Sequence, residues 1–212
     1  MPNQFCPLCL GLSIAEFYQD RVREYFRCRH CALVFVPQEQ HLSAHAEKAL
    51  YDLHENRIDD LGYRQFLSRL CNPLSARLSP RAHGLDFGCG PGPLLATMLA
   101  EQGFSVRIYD PFYANEPELL YQRYDFITCT EVVEHLRQPQ PVFEQLFGLL
   151  KPDGLLGIMT KRVIDVQAFS RWHYKNDPTH ICFYSEATLQ WLADKYQRNL
   201  VLIDKDVVIF QA

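Results

Sequence analysis

The sequence predicts an α/β fold with a mostly parallel, doubly wound sheet, preceded by a small β module held by cysteines. Three observations carry this reading. From about residue 82, apolar strand-like runs alternate with helical runs, the pattern of a sheet whose crossovers are helices. The run Leu85-Asp86-Phe87-Gly88-Cys89-Gly90-Pro91-Gly92 takes a strand straight into a glycine turn that opens a helix. Cys6-Pro7-Leu8-Cys9 and Cys28-Arg29-His30-Cys31 form two CxxC pairs separated by 18 residues.

The 212 residues suffice for one full α/β domain and a small appendage. A hydrophobic fraction of 48% and a charged fraction of 22% indicate a packed globule rather than disorder. The net charge of -4 lacks the basic footprint of a duplex-binding protein, which argues against a nucleic-acid partner. No stretch is long and apolar enough to span a membrane. Met1 to Cys6 lack the charged and apolar regions of a signal peptide, so a cytoplasmic location is expected. In that compartment the eight cysteines are expected to bind metal or to be buried.

Residues 1–37 read as the β module. Ile14–Tyr18, Tyr25–Arg27 and Leu33–Val36 are strand-like, and Pro37 closes the last run. Cys6, Cys9, Cys28 and Cys31 have the spacing of a structural Zn2+ site, which leaves no open position for catalysis. His30 is an alternative ligand, but the spacing favours Cys31. Arg21, Arg23, Arg27 and Arg29 make a local basic cluster, partly offset by Asp20 and Glu24. Residues 38–80 read as a helical cap and linker. Leu42, Ala46, Leu50 and Leu53, then Phe66, Leu67 and Leu70, recur at helical spacing, so two amphipathic helices are expected, ending before Pro73.

Residues 81–212 read as the α/β core. Leu94–Gln102 is a helix stopped by Gly103, and Ser105–Tyr109 and Asp125–Cys129 are strands. Val142–Leu150 is a helix, Lys151–Gly154 a turn and Leu155–Met159 a strand. Glu186–Tyr196 is a helix, and Leu200–Ile203 with Val207–Phe210 form a closing hairpin that adds an antiparallel edge.

The glycine loop has GxGxG spacing; Pro93 stands where a nicotinamide fingerprint has its third glycine. Asp86 ahead of the turn repels a pyrophosphate and suits a cationic amino-acid group. Asp110, 20 residues after Gly90, is an acid placed to accept hydrogen bonds from ribose hydroxyls. The ligand implied is a nucleoside without pyrophosphate and with a positive charge nearby, which fits S-adenosylmethionine. Together with Tyr109-Asp110, the run Tyr124–Leu136 and the run Leu149–Gly154, the glycine loop resembles the ordered motifs of class I S-adenosylmethionine-dependent methyltransferases. The resemblance covers residues 82–212 and implies a Rossmann-like, seven-stranded sheet. It implies that Asp86, Gly88, Cys89, Gly90 and Gly92 line the methionine part, that Asp110 holds the ribose with Pro111 beside it, and that Glu131 lies near cofactor and substrate. It also points to the branch of quinone and sugar methylases. One departure is visible: only 14 residues separate Asp110 from Asp125, too few for the usual helix and third strand. The adenine contacts are therefore left open, with Phe112 as a candidate to stack.

Four residues are candidates for the chemistry. Glu131, Glu134 and His135 share a face if that stretch is helical, and Glu131 and His135 are taken as candidate catalytic groups. In the segment Arg171–Ser185, His180 is the candidate base or substrate ligand and Asp177 its partner. Tyr51, His54, Asn56 and Tyr63 are candidates to lid the cofactor; Cys89 and Cys129 read as buried thiols rather than nucleophiles. The favoured function is methyl transfer to a small molecule. The rivals are an RNA or protein methyltransferase that reads its target with the zinc module, and a cofactor-binding scaffold without turnover.

Overall fold

The computed structural model describes residues 5–53 and 60–212. Strands β1 (Ile14–Gln19), β2 (Glu24–Cys28) and β3 (Val34–Phe35) pair antiparallel. Helix α1 (Ala44–Tyr51) starts at Ser43, whose side chain accepts from Ala46 N–H. Helix α2 (Leu61–Ser75) starts at Asp60, which accepts from the amides of Gly62 and Tyr63. Pro73 lies inside α2, so the expected stop before it is corrected. Pro73 forfeits one backbone bond in the last turns, but Leu67, Leu70 and Leu74 around it are buried in the core, and that burial outweighs one bond.

The larger sheet has the order β5-β4-β6-β7-β10-β9. Its strands are β4 (His83–Phe87), β5 (Ser105–Tyr109), β6 (Tyr124–Thr130), β7 (Leu150–Met159), β9 (Asn199–Leu202) and β10 (Val207–Gln211). The first four run parallel; β10 is antiparallel to both β7 and β9, as the hairpin at the end of the sequence predicts. Six strands are present among the described residues, not seven. Between β5 and β6 the chain makes a single turn of 3-10 helix, Pro117–Tyr121, with Leu119 buried, because so short a connection holds neither a helix nor a third strand. The expected turn Lys151–Gly154 sits within β7 as an excursion: pairing jumps from Tyr124–Leu150 to Phe126–Leu155.

Side chains along the central strands alternate between two cores. Ile127, Leu156, Ile158, Val208 and Phe210 face one side, with α4 (Pro139–Leu149) and α6 (Glu186–Lys195). Phe126, Leu155, Met159, Val207 and Ile209 face the other, where α2 and α3 (Leu94–Glu101) pack. Thus α2, read from the sequence as part of a cap, covers one face of the sheet.

The second sheet has the order β1-β2-β3-β8. Strand β8 (Cys182–Phe183) comes from the far end of the chain, beyond α5 (Val166–Ser170), and pairs with β3 through Val34–Phe183 and Phe35–Cys182. The cysteine module is therefore sewn into the core by a strand the sequence did not reveal.

A Cβ on Gly84 would stand 2.2 Å from the Phe126 ring, whereas one on Gly148 in α4 meets nothing within 4 Å. Gly84→Ala is expected to destabilise the fold by about 1–3 kcal/mol. Gly148→Ala is expected to stabilise it by up to about 1 kcal/mol. Urea unfolding of the two variants measures both, and equal midpoints would contradict the packing described.

Candidate active site

A cleft of about 850 Å³ opens at the C-terminal ends of β4, β5 and β6. Strand order reverses here, since β5 and β6 flank β4 on opposite sides, and such switch points are where open α/β sheets take ligands. Gly88, Cys89, Gly90, Asp110, Pro111 and Glu131 all line it, as do His135, Asp177 and His180. Asp86 and Gly92 do not; they lie behind and beside the turn. Of the expected lid residues, Tyr51 and Tyr63 line the cleft, and His54 and Asn56 fall outside the described residues.

The glycine loop is held from both sides. Gly88 and Gly90 have φ of 75° and 63°, open to glycine at little cost. A Cβ on Gly88 would also stand 2.4 Å from Val132 Cγ2. The amides of Gly88 and Cys89 donate to the Tyr109 carbonyl at 2.7 and 3.3 Å. Asp110 accepts from Gly90 N–H at 3.0 Å on one oxygen and from the amides of Phe112 (2.8 Å) and Tyr113 (3.2 Å) on the other. Its carboxylate thus ties the loop to the next turn while facing the cleft. Asp86 accepts from the Thr128 hydroxyl at 2.7 Å, and burial pushes its pKa up to about 6. Burial likewise raises the thiols of Cys89, to about 12, and Cys129, which suits buried groups and not nucleophiles.

Glu131 follows β6 with φ of 52°, a conformation costly for a residue with a side chain. The stretch after it is a short 3-10 turn, Val133–His135, and it splits the three candidates. Glu134 is fully buried, bonded to Thr160 and Tyr174, while Glu131 and His135 face the cleft. Tyr174 has one hydroxyl proton and donates it to Glu134, so its 3.3 Å contact with Glu131 is satisfied when Glu131 carries a proton. Burial, and then the adjacent Glu134, push the Glu131 pKa far above the usual carboxylate range, in agreement. Thr130 Oγ1 and Glu131 Oε1 are buried without a partner among the described residues, and both residues line the cleft.

His180 Nδ1 lies 2.8 Å from the Tyr174 carbonyl, and His135 Nδ1 lies 3.1 Å from the Thr179 carbonyl. A carbonyl only accepts, so each Nδ1 carries a proton and, in a neutral ring, each Nε2 offers a lone pair. Burial lowers the His180 pKa, which keeps that ring neutral. Asp177 Oδ2 stands 3.9 Å from His180 Nε2, beyond hydrogen bonding; Asp177 instead accepts from the amide and hydroxyl of Thr179. Glu134, His135 and His180 bring ligand atoms within 4.8 Å of one another, a grouping that could hold a metal, although Glu134 is already bonded to Thr160 and Tyr174.

A family model described as a methyltransferase domain matches residues 60–203. The chain belongs to this family. In the solved structures, 1,6-didemethyltoxoflavin-N1-methyltransferase from Burkholderia thailandensis, with 1,6-didemethyltoxoflavin and S-adenosylhomocysteine bound, shares the fold. Its TM-score is 0.53 over 92% of this chain and 96% of that one, at 15% identity. Among curated proteins, the ubiquinone biosynthesis O-methyltransferase of Rickettsia felis is 35% identical over 36% of this chain and 40% of its own length. That of Coxiella burnetii (strain Dugway 5J108-111) is 28% identical over 59% of this chain and 65% of its own. The match spans less than two thirds of either relative. By family and fold the protein is a class I S-adenosylmethionine-dependent methyltransferase.

In this methyltransferase the cysteine module reaches the cleft through Arg23, which the sequence marks only as one of four clustered arginines. Arg23 is buried, and its guanidinium donates to the carbonyls of His180 (2.9 Å), Asp177 (3.0 Å), Pro178 (3.5 Å) and Lys175. Asp20 pairs with Lys175 at 2.9 Å beside it. The two cysteine turns are copies of each other. Cys6 and Cys28 each donate an amide to the carbonyl five residues on, at Gly11 and Leu33. Leu10 and Ala32, each one past the second cysteine of its pair, have φ of 58° and 59°. All four Sγ atoms lie within 4.8 Å of one another, with Cys6–Cys31 and Cys9–Cys28 at 3.4 Å. His30 is turned away and accepts from the Trp191 indole at 3.2 Å.

Arg23→Ala would leave the buried His180 carbonyl without its donor and take one donor from those of Lys175 and Asp177, and is expected to cost about 1–3 kcal/mol. Arg23→Lys keeps the charge but not the fork, so it is expected to restore only part. Hydrogen exchange at Thr179–Phe183 should rise in both variants, and unchanged protection there would remove Arg23 as the anchor of this loop.

Proposed function

We propose that this methyltransferase methylates a hydroxyl group on a small, largely apolar ring compound, with His180 as general base and a structural zinc ion bracing the site. The observation that carries the proposal is the neutral His180, buried beside the cleft with its Nε2 lone pair unspent. An amine acceptor arriving neutral needs no base, whereas a weakly acidic hydroxyl does. Tyr51, Phe112, Leu120, Leu136 and Val142 give the cleft apolar walls suited to a ring. The relatives named as ubiquinone biosynthesis O-methyltransferases point the same way.

The residues present fit S-adenosylmethionine. The Thr130 and Glu131 oxygens, without partners among the described residues, await polar groups, and Gly88, Cys89 and Gly90 turn their backbone to the cleft. In this reading Gly88, Cys89 and Gly90 border the methionine part, with Asp86 and Gly92 shaping the turn from behind. Asp110 takes a ribose hydroxyl on its one remaining lone pair; Pro111 and Phe112 cover the adenine. The cofactor, when bound, supplies an already activated methyl group. His180 Nε2 accepts the proton of the acceptor hydroxyl as its oxygen becomes the nucleophile. His135, 4.7 Å away ring to ring, and Asp177 border the same space and orient the acceptor. Neutral Glu131 places no second negative charge beside the developing alkoxide. Arg23 is buried, so the four module arginines do not share one exposed surface, which favours a small acceptor over a nucleic acid.

His180→Ala is expected to lower kcat about 10²–10⁴-fold and to leave the calorimetric affinity for S-adenosylmethionine unchanged; Asp110→Ala should do the reverse. Because burial lowers its pKa, His180 stays unprotonated until the pH falls below roughly 6.5, so the acid limb of kcat belongs below that value and should vanish in the variant. Full activity of His180→Ala on a panel of hydroxylated rings would refute the base assignment.

A tetrahedral ion with Zn–S of about 2.3 Å separates its sulfurs by about 3.8 Å, which the four thiol positions fit. One zinc per chain is expected by elemental analysis. Cys28→Ser should lose it and lower the melting temperature; a metal-free protein of equal stability would refute a structural zinc.

A further inference from the structure

A second cleft, of about 570 Å³, lies on the other side of Tyr174 from the methyl-transfer cleft. Its lining is cationic although the chain's net charge is -4. Arg27 reaches it from β2, Lys161 and Arg162 from the segment after β7, His173 from a 3-10 turn and Lys205 from the β9–β10 hairpin. Four separate segments thus bring five basic groups to one concavity. Among the described residues none of the five has a carboxylate within 4.0 Å, whereas Arg64, Arg69, Arg107 and Arg137 elsewhere each do. Two acids also line the cleft. Asp206 is buried and paired with Arg69 at 2.9 Å; Glu186 is exposed in the first turn of α6.

We infer that this second cleft binds a small phosphorylated ligand, distinct from the cofactor. Arg162 supplies an independent observation. Its Nε and Nη2 donate to the carbonyls of Lys205 and Asp204 at 3.0 and 2.9 Å, which fixes the guanidinium plane. Its Nη1 is buried and has no partner among the described residues. A buried guanidinium N–H left unpaired is costly, and a ligand oxygen would satisfy it. Lys161 Nζ donates to His173 Nε2 at 3.0 Å and has two further protons to give. A guanidinium fixed in place beside an ammonium group with spare protons offers several donors, which match the several oxygens of a phosphate better than the two of a carboxylate. Trp172 on the wall offers a face to an organic substituent, and Ile164 at the rim is 83% exposed. At the start of α6 the Ser185–Thr188 capping box occupies the amides of Ser185 and Thr188.

The test uses the full chain with its metal and inorganic pyrophosphate as the probe. In a Trp191→Phe background Trp172 is the only indole left of the chain's two, so its fluorescence reports on this cleft alone. At about 0.15 M ionic strength, where diffuse attraction is screened beyond ~8 Å, pyrophosphate should change that signal saturably, and acetate should not. Lys161→Gln combined with Lys205→Gln should weaken binding by about tenfold or more, with S-adenosylmethionine affinity and folding unchanged. A signal that never saturates, or one indifferent to the two substitutions, would overturn the inference. So would pyrophosphate competing with S-adenosylmethionine, which would place it in the first cleft. Adsorption to phosphatidylglycerol vesicles without binding of soluble pyrophosphate would overturn it as well, assigning the basic groups to a lipid surface.

Discussion

One guanidinium stands where a strand would otherwise be needed. The segment Lys175–His180 turns back on itself with little backbone bonding of its own beyond His180 N–H to the Asp177 carbonyl, yet Lys175, Thr179 and His180 are buried and His180 must stand beside the cleft. Buried carbonyls need donors. Arg23 supplies them in a single planar fork, from a module at the opposite end of the chain. The dependence runs in order: two cysteine turns set β2, β2 sets Arg23, Arg23 sets the loop, and the loop sets His180 and leads into β8. A metal at the cysteines would thus act on the chemistry through geometry, with no open coordination site of its own.

The charges around the cleft follow from the same burial. Three acids, Asp110, Glu131 and Glu134, crowd the ends of the central strands, and Glu134 is sealed from water. The structure resolves this in two ways. Asp110 is held by three backbone amides, which suit an ionised group. Glu131 keeps its proton and shares the Tyr174 hydroxyl with Glu134. Its left-handed backbone is the cost of aiming a side chain into the cleft at the sharp exit from β6. Carboxyl groups one turn apart in sequence thereby end with different surroundings and different work.

Much of this was legible beforehand. Leu85–Gly92 announced a strand and a ligand-facing turn because only glycine tolerates that backbone so close to Val132. The paired CxxC turns announced a four-thiol cluster because two tight turns bring four sulfurs together. Less legible was the pairing of residues through space. Glu131, Glu134 and His135 looked equivalent on a helix; a 3-10 turn sent Glu134 into the core. Asp177 looked like the partner of His180 and turned out to hold Thr179. Helix α2 looked like a linker segment, since its apolar stripe says that something is covered but not what.

The sequence by itself determined the alternation of strands and helices, the glycine turn, the cysteine spacing and the absence of room for a third strand, because each is a local matter of periodicity, φ or chain length. Only the tertiary structure decided that β8 completes the N-terminal sheet, that Arg23 anchors the loop of His180, and that burial beside Glu134 pushes the Glu131 pKa upward. Each of these depends on groups far apart in the chain meeting away from water, where an unpaired carbonyl or an unshared charge is costly, and no local pattern records which groups will meet.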